Sequence, residues 1–176
     1  MKVIGIIPAR YGATRFPGKP LALINGKPLV YWVWTQAKKS RSLDDVIVAT
    51  DDHRIKQTVE SFGGDVVLTS ETCVSGTDRV AEVARKINSD IVVNIQGDEP
   101  LISPVTINRT VRLLVDSGKN VSMATPVTKI TDQQKISNPN LVKVVLDKNN
   151  FALYFSRSVI PYFSGKLNKD LPCLYK

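Results

Sequence analysis

Five apolar runs of strand length, most of them separated by segments with helical spacing, constrain this chain more than any other feature. The runs are "KVIGII" (2–7), "DVIVAT" (45–50), "DVVLT" (65–69), "DIVVNI" (90–95) and "NVSMATPV" (120–127). They are nearly continuous rather than alternating, the pattern of strands covered on both faces. Between them, "PLVYWVWTQAKK" (28–39) opens on a first-turn proline and ends in lysines, as a helix should. "DDHRIKQTVESFGG" (51–64) stops at a glycine pair, while "SGTDRVAEVARKI" (75–87) and "SPVTINRTVRLLVDSG" (103–118) offer Ser75 and Ser103 as N-caps. Strand and helix in repeated alternation predict right-handed βαβ units. The expected fold is α/β: a Rossmann-like, mostly parallel sheet with helices on both faces. After Val127 the rhythm changes. "LVKVVLDKNNFALYFSRS" (141–158) predicts two strands around a turn at "DKNN", a β-hairpin appended to the sheet.

The 176 residues suffice for one domain with a real core, and 43% hydrophobic against 23% charged residues is ordinary for a globular chain. Pro8, Arg10 and Arg15 break the apolar N-terminal stretch, so it does not read as a signal peptide, and no later run approaches a membrane span. Cys73 and Cys173 are too few and too isolated for a disulfide framework or a zinc site. A cytoplasmic protein without a membrane partner is expected. The net charge of +8 pulls toward anions, but the basic residues are scattered, and "KKSR" (38–41) reads as a solvated helix end. Nucleic acid is therefore not an expected partner.

In a doubly wound sheet, ligands lie beyond the carboxyl ends of the strands. The segments there are "PARYGATRFPGKP", "TDD", "SETCVSGTDR" and "QGDEP", with "SRS" after the hairpin. "GATRFPGKP" (12–20) resembles a P-loop only superficially. Five residues separate Gly12 from Gly18-Lys19 instead of four, and Pro20 stands where a magnesium-binding hydroxyl belongs. Arg10, Arg15 and Lys19 nevertheless put three cations into one loop that Pro17 and Pro20 restrict, which suits a polyphosphate; the plainer alternative is a solvated basic loop. In "NIQGDEP" (94–100), Asp98 lies closer to the strand end than Glu99 and is the magnesium candidate, unless the pair only eases entry into a helix. The small residues of "VSGTDR" (74–79) could bring helix N–H groups to an anion or a base edge, although N-capping alone would account for Ser75. The single histidine, His53, reads as a surface residue, and Tyr31, Trp32 and Trp34 read as packing.

Taken together, "IPARYGATRFPGKPL", "IVATDD", "SGTDR", "NIQGDEP", "NPNLVKVVLD" and "ALYFSRSVIPY" resemble, in order, the motifs of the 3-deoxy-manno-octulosonate (Kdo) cytidylyltransferases. The likeness runs from Val3 to about Tyr162, with Phe16 in place of the usual Leu and Ala13 where Ser is common. It implies a fold of the nucleotide-diphospho-sugar transferase type and a reaction in which CTP and Kdo give CMP-Kdo and pyrophosphate, with Mg2+ as cofactor. The resemblance assigns Arg10, Arg15 and Lys19 to the triphosphate and Asp98 to the metal. Pro8, Ala9, Ser75, Gly76 and Arg79 would help seat the nucleotide, Gln96 would lie between nucleotide and sugar, and Arg157 would meet the sugar carboxylate. Family members continue beyond the point that matches Lys176, with sugar-binding residues, a second metal-binding aspartate and dimer contacts. The resemblance thus implies a single nucleotidyltransferase domain over residues 1–176, shortened at its C-terminal end, and a homodimer where that part is present. Other acidic sugars (8-amino-Kdo or a sialic acid) and a non-catalytic nucleotide-binding fragment are the alternatives.

Overall fold

The computed structural model describes residues 1–12, 16–118 and 120–161. The chain divides into two compact units, Met1–Ala124 and Thr125–Lys176.

The first unit is built on four parallel strands: β1 (Val3–Pro8), β4 (Asp45–Thr50), β5 (Asp65–Leu68) and β6 (Ile91–Asn94). Two short strands, β2 (Leu23–Ile24) and β3 (Lys27–Pro28), form a separate antiparallel pair between β1 and the first helix. The sheet order is β5-β4-β1-β6, with Ile4 beside Asp45 on one flank of β1 and Gly5 beside Val93 on the other. The chain thus winds outward from β1 to β5 and then returns to the opposite side of β1. That reversal, between β1 and β6, is the switch point where such sheets bind ligands.

Helix placement follows from the hand of the crossovers. Helices α1 (Leu29–Lys38), α2 (His53–Ser61) and α4 (Pro104–Asp116) cover one face, and α3 (Gly76–Ala84), on the return path, covers the other. Alternate residues of β1 supply both cores. Val3 and Ile7 pack with Val30, Val33, Ile55, Val59, Ile107 and Val111, while Ile4 and Ile6 pack with Val80 and Val83. This two-sided burial is why the strands read as continuous apolar runs. Tyr31 and Trp34 stack on Phe62 at 5.3 and 5.2 Å between ring centroids, so they serve packing as expected, and His53 is exposed at the start of α2.

One expectation is corrected, and one pair of strands was not foreseen. No strand forms over residues 120–127: Pro126 cannot donate to a ladder, and Met123 is 86% exposed. The connection β2–β3 is a hairpin the apolar pattern did not announce; Asn25 and Gly26, both at positive φ (49° and 74°), make its turn.

The second unit contains the four-residue helix α5 (Gln133–Ile136) and an antiparallel hairpin of β7 (Lys143–Leu146) and β8 (Ala152–Ser156). The turn falls at "DKNN" as predicted. Asp147 holds it: its Oδ1 accepts from the backbone N–H of Asn149 and of Phe151, both at 2.8 Å, and Asn150 takes positive φ (66°). These two strands form a sheet of their own.

Candidate active site

The carboxyl ends of β1 and β6 and the N-terminus of α3 converge on Pro8. The Ala9 amide donates to Ala49 O at 2.8 Å, carrying β1 one residue past its ladder. Gly97, in the segment after β6, lies so close that a Cβ there would overlap the Pro8 carbonyl oxygen, and one on Gly76 would touch the Pro8 ring at 3.4 Å. Only a residue without a Cβ fits at position 97, which "QGD" supplies, whereas the contact at Gly76 is an ordinary van der Waals one.

Across this junction the Lys19 ammonium meets Asp98 Oδ2 at 2.8 Å, joining the loop after β1 to the loop after β6. Both groups keep solvent access, with side chains 38% and 54% exposed, so the pair is open to a ligand that competes for either partner. Arg10 is exposed and makes no ion pair among the described residues. Arg15 lies outside the described residues. Gln96 is exposed, and its Nε2 reaches Asn94 Oδ1 at 3.5 Å.

The loop that carries these cations is braced at both ends. Gly18, at φ 71°, donates to Tyr11 O at 2.8 Å, and the Tyr11 ring lies against it. The Arg54 guanidinium stacks over the Tyr11 ring at 3.5 Å from its centroid. Arg54 in turn grips Asp52 through two hydrogen bonds of 3.0 and 2.6 Å, and this contact holds the Asp52 carboxyl below its ordinary pKa. The brace was missed in the sequence because its members are 43 residues apart by number and carry no shared motif.

At the start of α3, Ser75 and Asp78 form a reciprocal capping box: Ser75 Oγ accepts from the Asp78 amide at 3.1 Å, and the Ser75 amide donates to Asp78 Oδ2 at 2.9 Å. Ser75 is thus the predicted N-cap, and Ser103 occupies the cap position of α4 without a side-chain bond. Arg79 points inward and is 2% exposed. Its Nη2 donates to Asp51 Oδ2 at 2.6 Å, and its Nη1 donates to Thr69 Oγ1 and to Ser70 O. One guanidinium therefore ties the carboxyl ends of β4 and β5 to α3. Asp51 Oδ1 remains buried with no partner among the described residues. The "TDD" segment had drawn notice as a strand end, but its first aspartate gave no sign of being this partner.

Asp98 fits a divalent cation. It offers a hard oxygen, is half open to solvent, and stands at the switch point; magnesium commonly takes one or two carboxylates and completes its shell with phosphate oxygens and water. No cluster of three or more acidic, His or Cys ligands occurs among the described residues.

Arg157 belongs to the second unit, just past β8, where it is exposed and its Nη1 donates to Pro139 O at 2.9 Å. Among the described residues no helix is long and apolar enough to cross a membrane.

Comparison with known proteins shows the family. A family model described as Cytidylyltransferase matches residues 4–173. A 3-deoxy-manno-octulosonate cytidylyltransferase of Thermodesulfovibrio yellowstonii is 49% identical over 96% of this chain and 69% of its own. An 8-amino-3,8-dideoxy-manno-octulosonate cytidylyltransferase of Shewanella pealeana is also 49% identical, over 100% of this chain and 72% of its own. The solved structure of a CMP:2-keto-3-deoxy-manno-octonic acid synthetase complexed with CTP matches with a TM-score of 0.87 and 39% identity, covering 99% of this chain and 71% of the other. The chain belongs to the cytidylyltransferase family and, within it, to the group of the 3-deoxy-manno-octulosonate enzymes.

Proposed function

We propose that this chain transfers the cytidylyl group of CTP to Kdo, giving CMP-Kdo and pyrophosphate. The observation that carries the reading is the Lys19–Asp98 pair, which brings a cation and a carboxylate from loops 79 residues apart to one exposed point at the switch of the sheet. A triphosphate arriving there takes over Lys19 and frees Asp98. Arg10 and Arg15, on the same loop as Lys19, add charge for the outer phosphates. Asp98 would hold magnesium, which when bound neutralises charge on the phosphate oxygens.

In the reaction, the anomeric hydroxyl oxygen of the sugar bonds to the α-phosphorus as the bond from that phosphorus to the bridging oxygen of pyrophosphate breaks in line. The work of the chain is to align the two partners and to meet charge on the leaving group with Arg10, Arg15 and Lys19. Pro8, Ala9, Ser75, Gly76 and Gln96 would seat the nucleotide, Ala9 through its main chain because its side chain is buried. Arg79, being buried, serves it by fixing the strand ends around it. Arg157 would take the sugar carboxylate, and Gln96 would touch both substrates. A cytoplasmic setting is part of this reading, in keeping with the sparse cysteines.

The test begins with calorimetric titration of CTP, UTP and GTP, each with magnesium, followed by pyrophosphate release on adding Kdo. A clear preference for CTP is expected; equal binding of all three would overturn the cytidylyl reading. Asp98→Asn is expected to abolish magnesium-dependent turnover and leave the melting temperature unchanged. Unfolding of that variant would remove the support for a metal role. The Shewanella relative favours 8-amino-Kdo as a second acceptor, so both sugars belong in the assay, and a faster reaction with the amino sugar would reassign the substrate.

A further inference from the structure

Lys143, the first residue of β7, is 0% exposed, and among the described residues no carboxylate pairs with it. Its ammonium donates instead to three main-chain oxygens: Asn138 O at 2.9 Å, Leu141 O at 2.8 Å and Arg157 O. Three donors meet three acceptors, so the group is satisfied but not neutralised. A charge buried without a counter-ion is costly, and burial, followed by the nearby Arg157 guanidinium, pushes the Lys143 pKa below its ordinary value. A methionine would fill the same space without burying a charge, but it would leave these three main-chain oxygens without their donor. The lysine must therefore do something that an apolar side chain could not.

What it does is fix one residue at two points. The ammonium holds the main chain of Arg157 directly. It also holds residues 138 and 141, on either side of Pro139, and Pro139 O is the acceptor for Arg157 Nη1. Main chain and guanidinium of Arg157 are thus anchored to the same small frame. Among the described residues only one of its five N–H donors is committed, to Pro139 O, and the side chain is exposed. A fork held still with an open edge is a preset receptor for a carboxylate, since little freedom remains to be lost on binding.

We propose that Lys143 is a positioning residue for the acidic sugar, its ammonium setting the Arg157 guanidinium to receive the sugar carboxylate. This rests on the reading that Arg157 takes that carboxylate. The test is calorimetric titration of Kdo without magnesium, so that no turnover occurs, into wild type, Lys143→Met, Arg157→Ala and the double variant, with CTP titrated separately. Lys143→Met is expected to weaken Kdo about ten-fold while CTP affinity stays within about two-fold, and to add nothing to the loss in Arg157→Ala. Wild-type affinity for Kdo in Lys143→Met, with a loss in Arg157→Ala, would overturn the inference alone. Additive losses would do the same, because Lys143 would then act independently of Arg157. Undiminished binding in Arg157→Ala, or no Kdo binding by wild type, would overturn the reading beneath it. Should Lys143→Met fail to fold, the Lys143 ammonium resonance of wild type decides: Kdo is expected to shift it, with no shift in Arg157→Ala. A resonance indifferent to Kdo in wild type sinks the proposal.

Discussion

Arg79 carries a full charge into the interior, and its partners explain how. Asp51, Thr69 and Ser70 stand at the ends of two neighbouring strands, so the guanidinium closes a gap that backbone ladders leave open beyond β4 and β5. Removing it strands the Asp51 carboxylate, one of whose oxygens already lacks a partner among the described residues. Arg79→Met is expected to lower unfolding free energy by about 3 kcal/mol in denaturant titration, and Asp51→Asn in the same background is expected to restore part of it. A loss below about 0.5 kcal/mol would mean that the pair is solvated and bears little of the fold. At this scale the sequence displays the chemical types that these loops carry. It could not display pairing. Lys19 with Asp98, Arg79 with Asp51, and Arg54 with Tyr11 are products of the tertiary fold, and nothing local marks which cation meets which anion or ring.

Elements are more legible, because each of the four parallel strands and four long helices has its own pattern and stop signals. Ser75 announced the α3 cap, and the glycine pair after α2 ended that helix. Gly63 takes φ 79° there. The failures have physical causes too. The run over residues 120–127 had apolar content but included a proline, whereas the "NG" at 25–26 is a strong hairpin signal that two-residue strands were too short to support. Gly97 matters differently, since what it needs is closeness to Pro8 rather than unusual dihedral freedom. Gly97→Ala is expected to cost about 1–3 kcal/mol by forcing the loop after β6 away from β1, and to weaken CTP binding along with stability. Unchanged CTP affinity in a folded Gly97→Ala variant would show that the nucleotide does not use this junction. Ser75→Ala is expected to lose about 1 kcal/mol in thermal or denaturant unfolding, the usual worth of a capping side chain; no loss would leave Asp78 sufficient alone.

For the whole molecule, acid is the informative variable. Glu82 accepts from Lys86, from the Ser70 amide and from the Cys73 thiol, and the Lys86 contact foremost lowers its pKa to about 2. Because the folded state binds this proton less readily than the unfolded chain, the contribution of Glu82 is full above its ordinary value of 4.5 and fades as pH falls toward 2. Asp52, held down by Arg54, acts in the same direction. Melting temperature is expected to fall across that window in wild type and to fall less in Glu82→Gln; parallel curves would show that Glu82 carries none of the acid sensitivity.

The order of the sheet also sets a timetable. β1 is made first, yet it lies between β4 and β6, and its second neighbour does not exist until residues 91–94 have been synthesised. Until then one flank of the earliest strand waits unpaired, and Lys19 has no Asp98 to meet. A chain emerging from the ribosome can therefore lay down the outer strands on one side of β1 while the junction between the loops after β1 and β6 is still absent, and the interval is one in which the bare edge of β1 is exposed to wrong partners.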